Sequence, residues 1–139
     1  MKALTAERSL HSIQSSAEKI RNDQTQRFSE AANISDVWRQ GDVYIELLAG
    51  APEGAVCENQ PQMQLAPGTT QGSRHILDSL AGVTMYRLAN PTVLDGPILD
   101  VATERTITHP EHGNIILPPG VYGITYQRAF GDELRRAAD

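Results

Sequence analysis

The chain has 139 residues, 40% hydrophobic but only 5% aromatic, with a formal net charge of −5 and an isoelectric point near 5.3. That length suits one domain with an appendage and a modest aliphatic core, and the acidic balance argues against a nucleic-acid binder or adhesion to an anionic membrane. A single cysteine, Cys57, excludes an internal disulfide and a multi-cysteine zinc site, and no apolar run nears the ~18 residues that span a bilayer. The N-terminus lacks the apolar core of a secretory signal, so the expected compartment is the cytoplasm, or a particle assembled there.

The first segment, residues 1–36, is polar, contains no glycine or proline, and is rich in Ala, Ser, Glu, Gln and Arg. Ala3, Ala6, Leu10, Ile13, Ala17 and Ile20 alternate at spacings of three and four, the seam of a coiled coil. Beyond Ile20 the seam fails at Gln24 and Arg27, and helix propensity alone carries the pattern toward Phe28 or Ala31. A stripe this narrow is marginal as a free helix in water. It needs a surface, either its own domain or a neighbouring subunit. The spacing therefore predicts a helical arm with Leu10, Ile13, Ala17 and Ile20 as its contact face.

Asn33-Ile34-Ser35-Asp36 interrupts the pattern with side chains that compete for backbone hydrogen bonds. Gly41-Asp42 is a turn signal. Val43 to Leu48 is expected as the first strand, with Trp38 as a lid on the core. A loop follows from Ala49 to Pro61, holding Cys57 as an inert thiol. Met63 to Leu65 and Arg74 to Leu77 read as short extended pieces. Val83 to Leu88 and Ile98 to Thr103 read as strands, the second entered through a turn at Asp95-Gly96-Pro97.

The stretch from Arg105 to Phe130 is the most informative. It reads as strand, loop, strand, tight turn and strand. Pro118-Pro119-Gly120 predicts a type II turn, with proline pre-setting φ and glycine supplying a positive φ. The flanking apolar runs, Ile115 to Leu117 and Val121 to Tyr126, make that turn the centre of an expected hairpin. Tyr122, Ile124 and Tyr126 alternate with Val121, Gly123 and Thr125, which suits an interior strand. Gly123 marks a bulge or a close backbone approach. His109-Pro110-Glu111-His112-Gly113 must be a loop. The tail, Gly131 to Asp139, carries acids early and arginines late, which predicts a short C-terminal helix.

Short strands separated by turn signals indicate an all-β fold, a small sandwich or barrel of antiparallel strands. The composition change near Asp36 divides the chain into a helical arm, 1–36, and a compact β domain, 37–139.

Several motifs carry a resemblance. Arg39-Gln40-Gly41-Asp42-Val43, Gly68, Gly72 to His75, Thr108-His109-Pro110-Glu111-His112, Leu117-Pro118-Pro119-Gly120 with Tyr122, and Gln127-Arg128 resemble a family of small uncharacterised bacterial and phage-encoded proteins. The likeness covers roughly residues 39–139 and implies a compact β domain. It brings no function. Where relatives have Gly-His-x-His, this chain has Gly72-Ser73-Arg74-His75, which puts any shared metal site in doubt. The residues before Arg39 are additional to the shared domain and suggest use in an assembly.

Two function classes follow. The first is a non-enzymatic structural or interaction protein whose arm mediates homo-oligomerisation or joins other subunits, for example in a phage particle, without cofactor. The second is a small metal-dependent enzyme or metal-binding sensor. In it His75, His109 and His112, with Glu111, Asp78 or Asp100, would hold a divalent metal that activates water. Against the second, the His-Pro-Glu-His loop lacks the helix that aligns the ligands of His-Glu-x-x-His enzymes. The plainer role for His109 and His112 is to cap their loop. No dinucleotide, phosphate-loop or nucleophile-elbow pattern occurs.

Overall fold

The computed structural model describes residues 25–29 and 31–128. The first hairpin follows directly from its turn. Strand β2 (Val37–Gln40) pairs antiparallel with β3 (Val43–Leu48), and Gln40 lies opposite Val43, leaving Gly41-Asp42 as a two-residue turn. Gly41 has φ +57°, the left-handed region that such turns need and glycine takes without strain. Val43 and Ile45 alternate into the core, as a strand period of two requires.

Strand β1 (Gln26–Arg27) precedes this hairpin. After it come β4 (Val56–Cys57), β5 (Ile76–Leu77), β6 (Val83–Arg87), β7 (Asp95–Val101), β8 (Arg105–Thr108), β9 (Ile115–Leu117) and β10 (Gly120–Tyr126). They form two open sheets, a small one in the order β1-β9-β8-β5 and a large one in the order β2-β3-β10-β7-β6-β4. Neither closes into a barrel. One core joins them: Leu77, Ile107, Ile115 and Leu117 from the small sheet pack with Val43, Ile45, Leu99, Tyr122 and Ile124 from the large. The interior placement expected for the Tyr122 strand holds, since β10 lies between β3 and β7.

Four expectations are corrected. First, the helix expected toward Phe28 gives way to strand β1, which adds parallel to the edge of β9. Phe28 then enters the core at 1% exposure, against Trp38 (ring centroids 4.9 Å apart) and Tyr122 (5.1 Å). Burial of an aromatic ring outweighs the small helix propensity of its neighbours. Second, Pro118-Pro119-Gly120 is not a hairpin turn. Strand β9 pairs with β8 and β1, whereas β10 pairs with β3 and β7, so the prolines carry the chain from one sheet to the other. Two residues without N–H donors cannot continue a ladder. Gly120 is absent from the residues with positive φ.

Third, Asp95-Gly96-Pro97 begins β7 instead of turning into it; Pro97 sits where the register with β10 shifts, a position that tolerates a missing donor. Gly123 flanks the same irregularity, and a Cβ there would lie 3.1 Å from Leu48 Cδ1. Fourth, the loop around Cys57 contains the short edge strand β4, paired with β6. The arm positions Leu10, Ile13, Ala17 and Ile20, and the C-terminal helix expected over 131–139, lie outside the described residues.

Candidate functional site

Gln40 is the organising residue at the open end of the first hairpin. It is 1% exposed, so its amide must find partners within the protein. Its Nε2 donates to the Ile107 carbonyl (3.1 Å) and the Gly113 carbonyl (2.7 Å), which ties β2 to the small sheet. With both amide hydrogens given away, Oε1 is an acceptor. It lies 2.8 Å from His75 Nδ1, so that nitrogen carries the proton. His75 Nε2 is then a bare lone pair. It is buried and has no hydrogen-bond partner.

The His109 loop has the opposite logic. The backbone N–H groups of Glu111 (3.0 Å) and His112 (3.2 Å) both donate to His109 Nδ1, and Nε2 donates to the Gly72 carbonyl at 3.3 Å. Both nitrogens are engaged, and His109 caps its own turn. Gly113, at φ +76°, lets the loop return into β9.

The three rings stack in a row. His75 and His109 have centroids 4.4 Å apart at 46°, and His109 and His112 4.6 Å apart at 39°. Burial, with help from the His109 and then the His112 ring, pushes His75 down to about 4; the Gly72 carbonyl opposes this by favouring the charged form. Burial also lowers His109. A buried imidazole avoids a charge that water no longer solvates.

His112 ends the row at a cleft of about 380 Å³, which Gln26, Arg39 and Gly41 also line. Its ring lies on Gly41, where a Cβ would meet His112 Cδ2 at 2.5 Å. The Arg39 guanidinium donates from Nε to the Gly41 carbonyl (2.8 Å) and from Nη2 to Gln127 Oε1 (3.3 Å), and it lies 5.9 Å over the Tyr44 ring. Gln127 N–H in turn donates to the Asp42 carbonyl at 2.8 Å. Thr25 enters β1 beside this loop, because Gln26 N–H donates to the Asn114 carbonyl at 2.8 Å.

The fold therefore brings together His75, His109 and His112, as the sequence suggested. It places the proposed carboxylates elsewhere. Asp78 Oδ1 accepts the Thr106 N–H (3.1 Å) and lies 3.9 Å from Arg105 Nε. Asp100 sits on β7 between the buried Leu99 and Val101, so it points away from the core. Glu111 is exposed and joins the cluster through its backbone. No group of three His, Cys, Asp or Glu side chains is set to hold a metal ion among the described residues. Ser73 Oγ donates to the Thr70 carbonyl at 2.9 Å. Pro118, Pro119 and Gly120 are not part of this cluster; the first two border a separate groove with Phe28 and Tyr122.

The sequence reading missed Gln40, Arg39 and Gln127 as site residues. The one available signal was their place inside the quoted motifs. Nothing local in the chain says that a glutamine will be buried, or that an arginine and a glutamine 88 residues apart will meet.

A family model, Domain of unknown function (DUF8820), matches residues 39–127. The chain belongs to this family. The DUF8820 stretch begins at Arg39 and ends at Gln127, the two residues whose side chains bond across the site. It encloses Gln40 and the three stacked histidines and leaves out β1 and Phe28. No curated protein and no solved structure matches the chain. No helix among the described residues is long and apolar enough to cross a membrane.

Proposed function

We propose that this DUF8820 protein is a non-enzymatic interaction protein. Its β domain presents the N-terminal segment to a neighbouring subunit, in a homo-oligomer or a larger assembly such as a phage particle. The observation that carries this reading is the rooting of that segment. Residues 25–28 form an added edge strand and a core aromatic, so the described start of the chain is rooted in the small sheet. The stripe at Leu10, Ile13, Ala17 and Ile20 supplies an apolar face in need of a partner. The engagement of both His109 nitrogens supports the same reading, since it removes the most conspicuous candidate base from chemistry.

Light scattering after size-exclusion chromatography tests it. The full chain is expected to run as a defined oligomer. A chain beginning at Gln24 is expected to lose mass per particle and keep its β circular dichroism. Equal masses would overturn the reading.

One atom favours a metal-binding alternative. His75 Nε2 is a buried lone pair without a partner, and Gln40 fixes its tautomer as outer-shell acceptors do for metal-bound imidazoles. His75, with His112 after a local rearrangement, would be the ligands. Elemental analysis of the full chain should then give stoichiometric metal that His75→Ala removes, and metal-free wild-type protein would discard this alternative.

A further inference from the structure

Arg39 is held in place, yet no acid among the described residues neutralises it. Arg27 lies 2.7 Å from Glu104, Arg87 lies 3.5 Å from Glu58, and Arg105 lies 3.9 Å from Asp78. Arg39 has no carboxylate partner among the described residues. Its Nε and Nη2 are spent on two neutral oxygens, Gly41 O and Gln127 Oε1, and its plane lies over Tyr44. Fixing an exposed arginine costs side-chain entropy. Neutral acceptors fix the guanidinium without cancelling its charge, and Nη1 has no hydrogen-bond acceptor among the described residues.

The opposite wall is equally fixed. The His112 ring is stacked on His109 and pressed on Gly41, and it offers an imidazole N–H in the neutral form as well as in the charged one. Gln26, on β1, lines the same cleft and carries an amide side chain. Three separate elements thus converge donors on a cleft of about 380 Å³, within the size range of small-molecule sites. Asp42 and Glu111 lie close enough to favour the charged form of His109.

We propose that the cleft lined by Gln26, Arg39, Gly41 and His112 binds the oxyanion group, a carboxylate or a phosphate, of a small acidic molecule. Arg39 supplies the charge-assisted bond, and the His112 and Gln26 N–H groups supply orientation. The proposal rests on described residues alone, Gln26, Arg39, Gly41 and His112, and the assembly reading rests on the segment before them.

The isotope-labelled 139-residue chain is titrated at fixed pH with sodium succinate and, separately, with inorganic phosphate, sodium chloride holding the ionic strength. Saturating shifts are expected at the Gln26 and Gly41 amides and the His112 ring, with one or both anions. Succinate alone identifies a carboxylate site, and phosphate alone a phosphate site. Arg39→Gln should weaken binding about tenfold or more, as loss of a charge-assisted bond predicts. Arg39→Lys, which keeps the charge, should fall between that variant and the wild type. Arg74→Gln, at an exposed arginine outside the cleft, should bind as the wild type does. The proposal is overturned if neither anion gives shifts beyond the sodium chloride control, if the shifts map away from the cleft, or if Arg39→Gln binds as tightly as wild type.

Discussion

At the scale of single residues, the chemistry of this protein is decided by which hydrogen bonds buried side chains are left to make. Gln40 spends its amide on two carbonyls and thereby sets the tautomer of His75. His75 is fully buried, and the titratable groups that act on it are imidazoles, His109 directly and His112 beyond it. The folded protein therefore keeps His75 neutral down to about 4, while in the unfolded chain it takes up a proton near 6.5. Between those values the unfolded state binds the extra proton, so stability falls as pH falls. His109, also lowered, acts in the same direction. From pH 7 to pH 5 the loss attributable to His75 should be roughly 2 kcal/mol. Urea denaturation at each pH measures it. His75→Gln, whatever its own stability, should show a clearly smaller loss over that interval. An equal loss would mean that other groups carry the acid sensitivity.

At the scale of elements, two glycines that look alike in the sequence have different duties. Gly41 turns the β2–β3 hairpin at φ +57° and lies beneath His112. Gly120 starts β10 outside the left-handed region, and a Cβ there would meet Tyr122 Oη at 3.4 Å and Leu47 Cδ1 at 3.5 Å, which is ordinary contact. Gly41→Ala should therefore cost the left-handed penalty of about 1–2 kcal/mol and displace the His112 ring besides. Gly120→Ala should cost less than about 0.5 kcal/mol. Paired denaturation curves give the comparison, and a Gly120 variant as damaged as the Gly41 variant would contradict it. The type II turn expected at Pro118-Pro119-Gly120 failed for a related reason. Proline and glycine announce that the chain leaves a ladder, and they do not say which sheet it joins next.

At the scale of the whole molecule, the family match and the folding unit do not coincide. The DUF8820 stretch starts at Arg39, yet Phe28 is fully buried between Trp38 and Tyr122. Phe28→Ala should lower stability by about 3–5 kcal/mol, as truncation of a core aromatic does. A change under about 1 kcal/mol would show that residues 25–29 are dispensable to the domain. A truncation meant to test the arm must therefore stop before Thr25; removing residues 1–36 would open the core as well as delete the arm.

The sequence by itself determined that the fold is predominantly β, that Val43 to Leu48 is a strand, that a second strand expected over Val83 to Leu88 exists (it ends at Arg87), and that the Tyr122 strand lies inside a sheet. Those conclusions rest on alternation and turn residues, which are local properties of the chain. Local patterning also placed three histidines on a list of candidates. Only the tertiary structure decided that they stack, that His109 caps its own loop, and that His75 keeps a buried lone pair without a partner. It alone joined Gln26, Arg39 and His112 around one cleft. Strand order, burial and the partner of each polar atom depend on contacts between residues distant in sequence. Periodicity carries no record of those contacts.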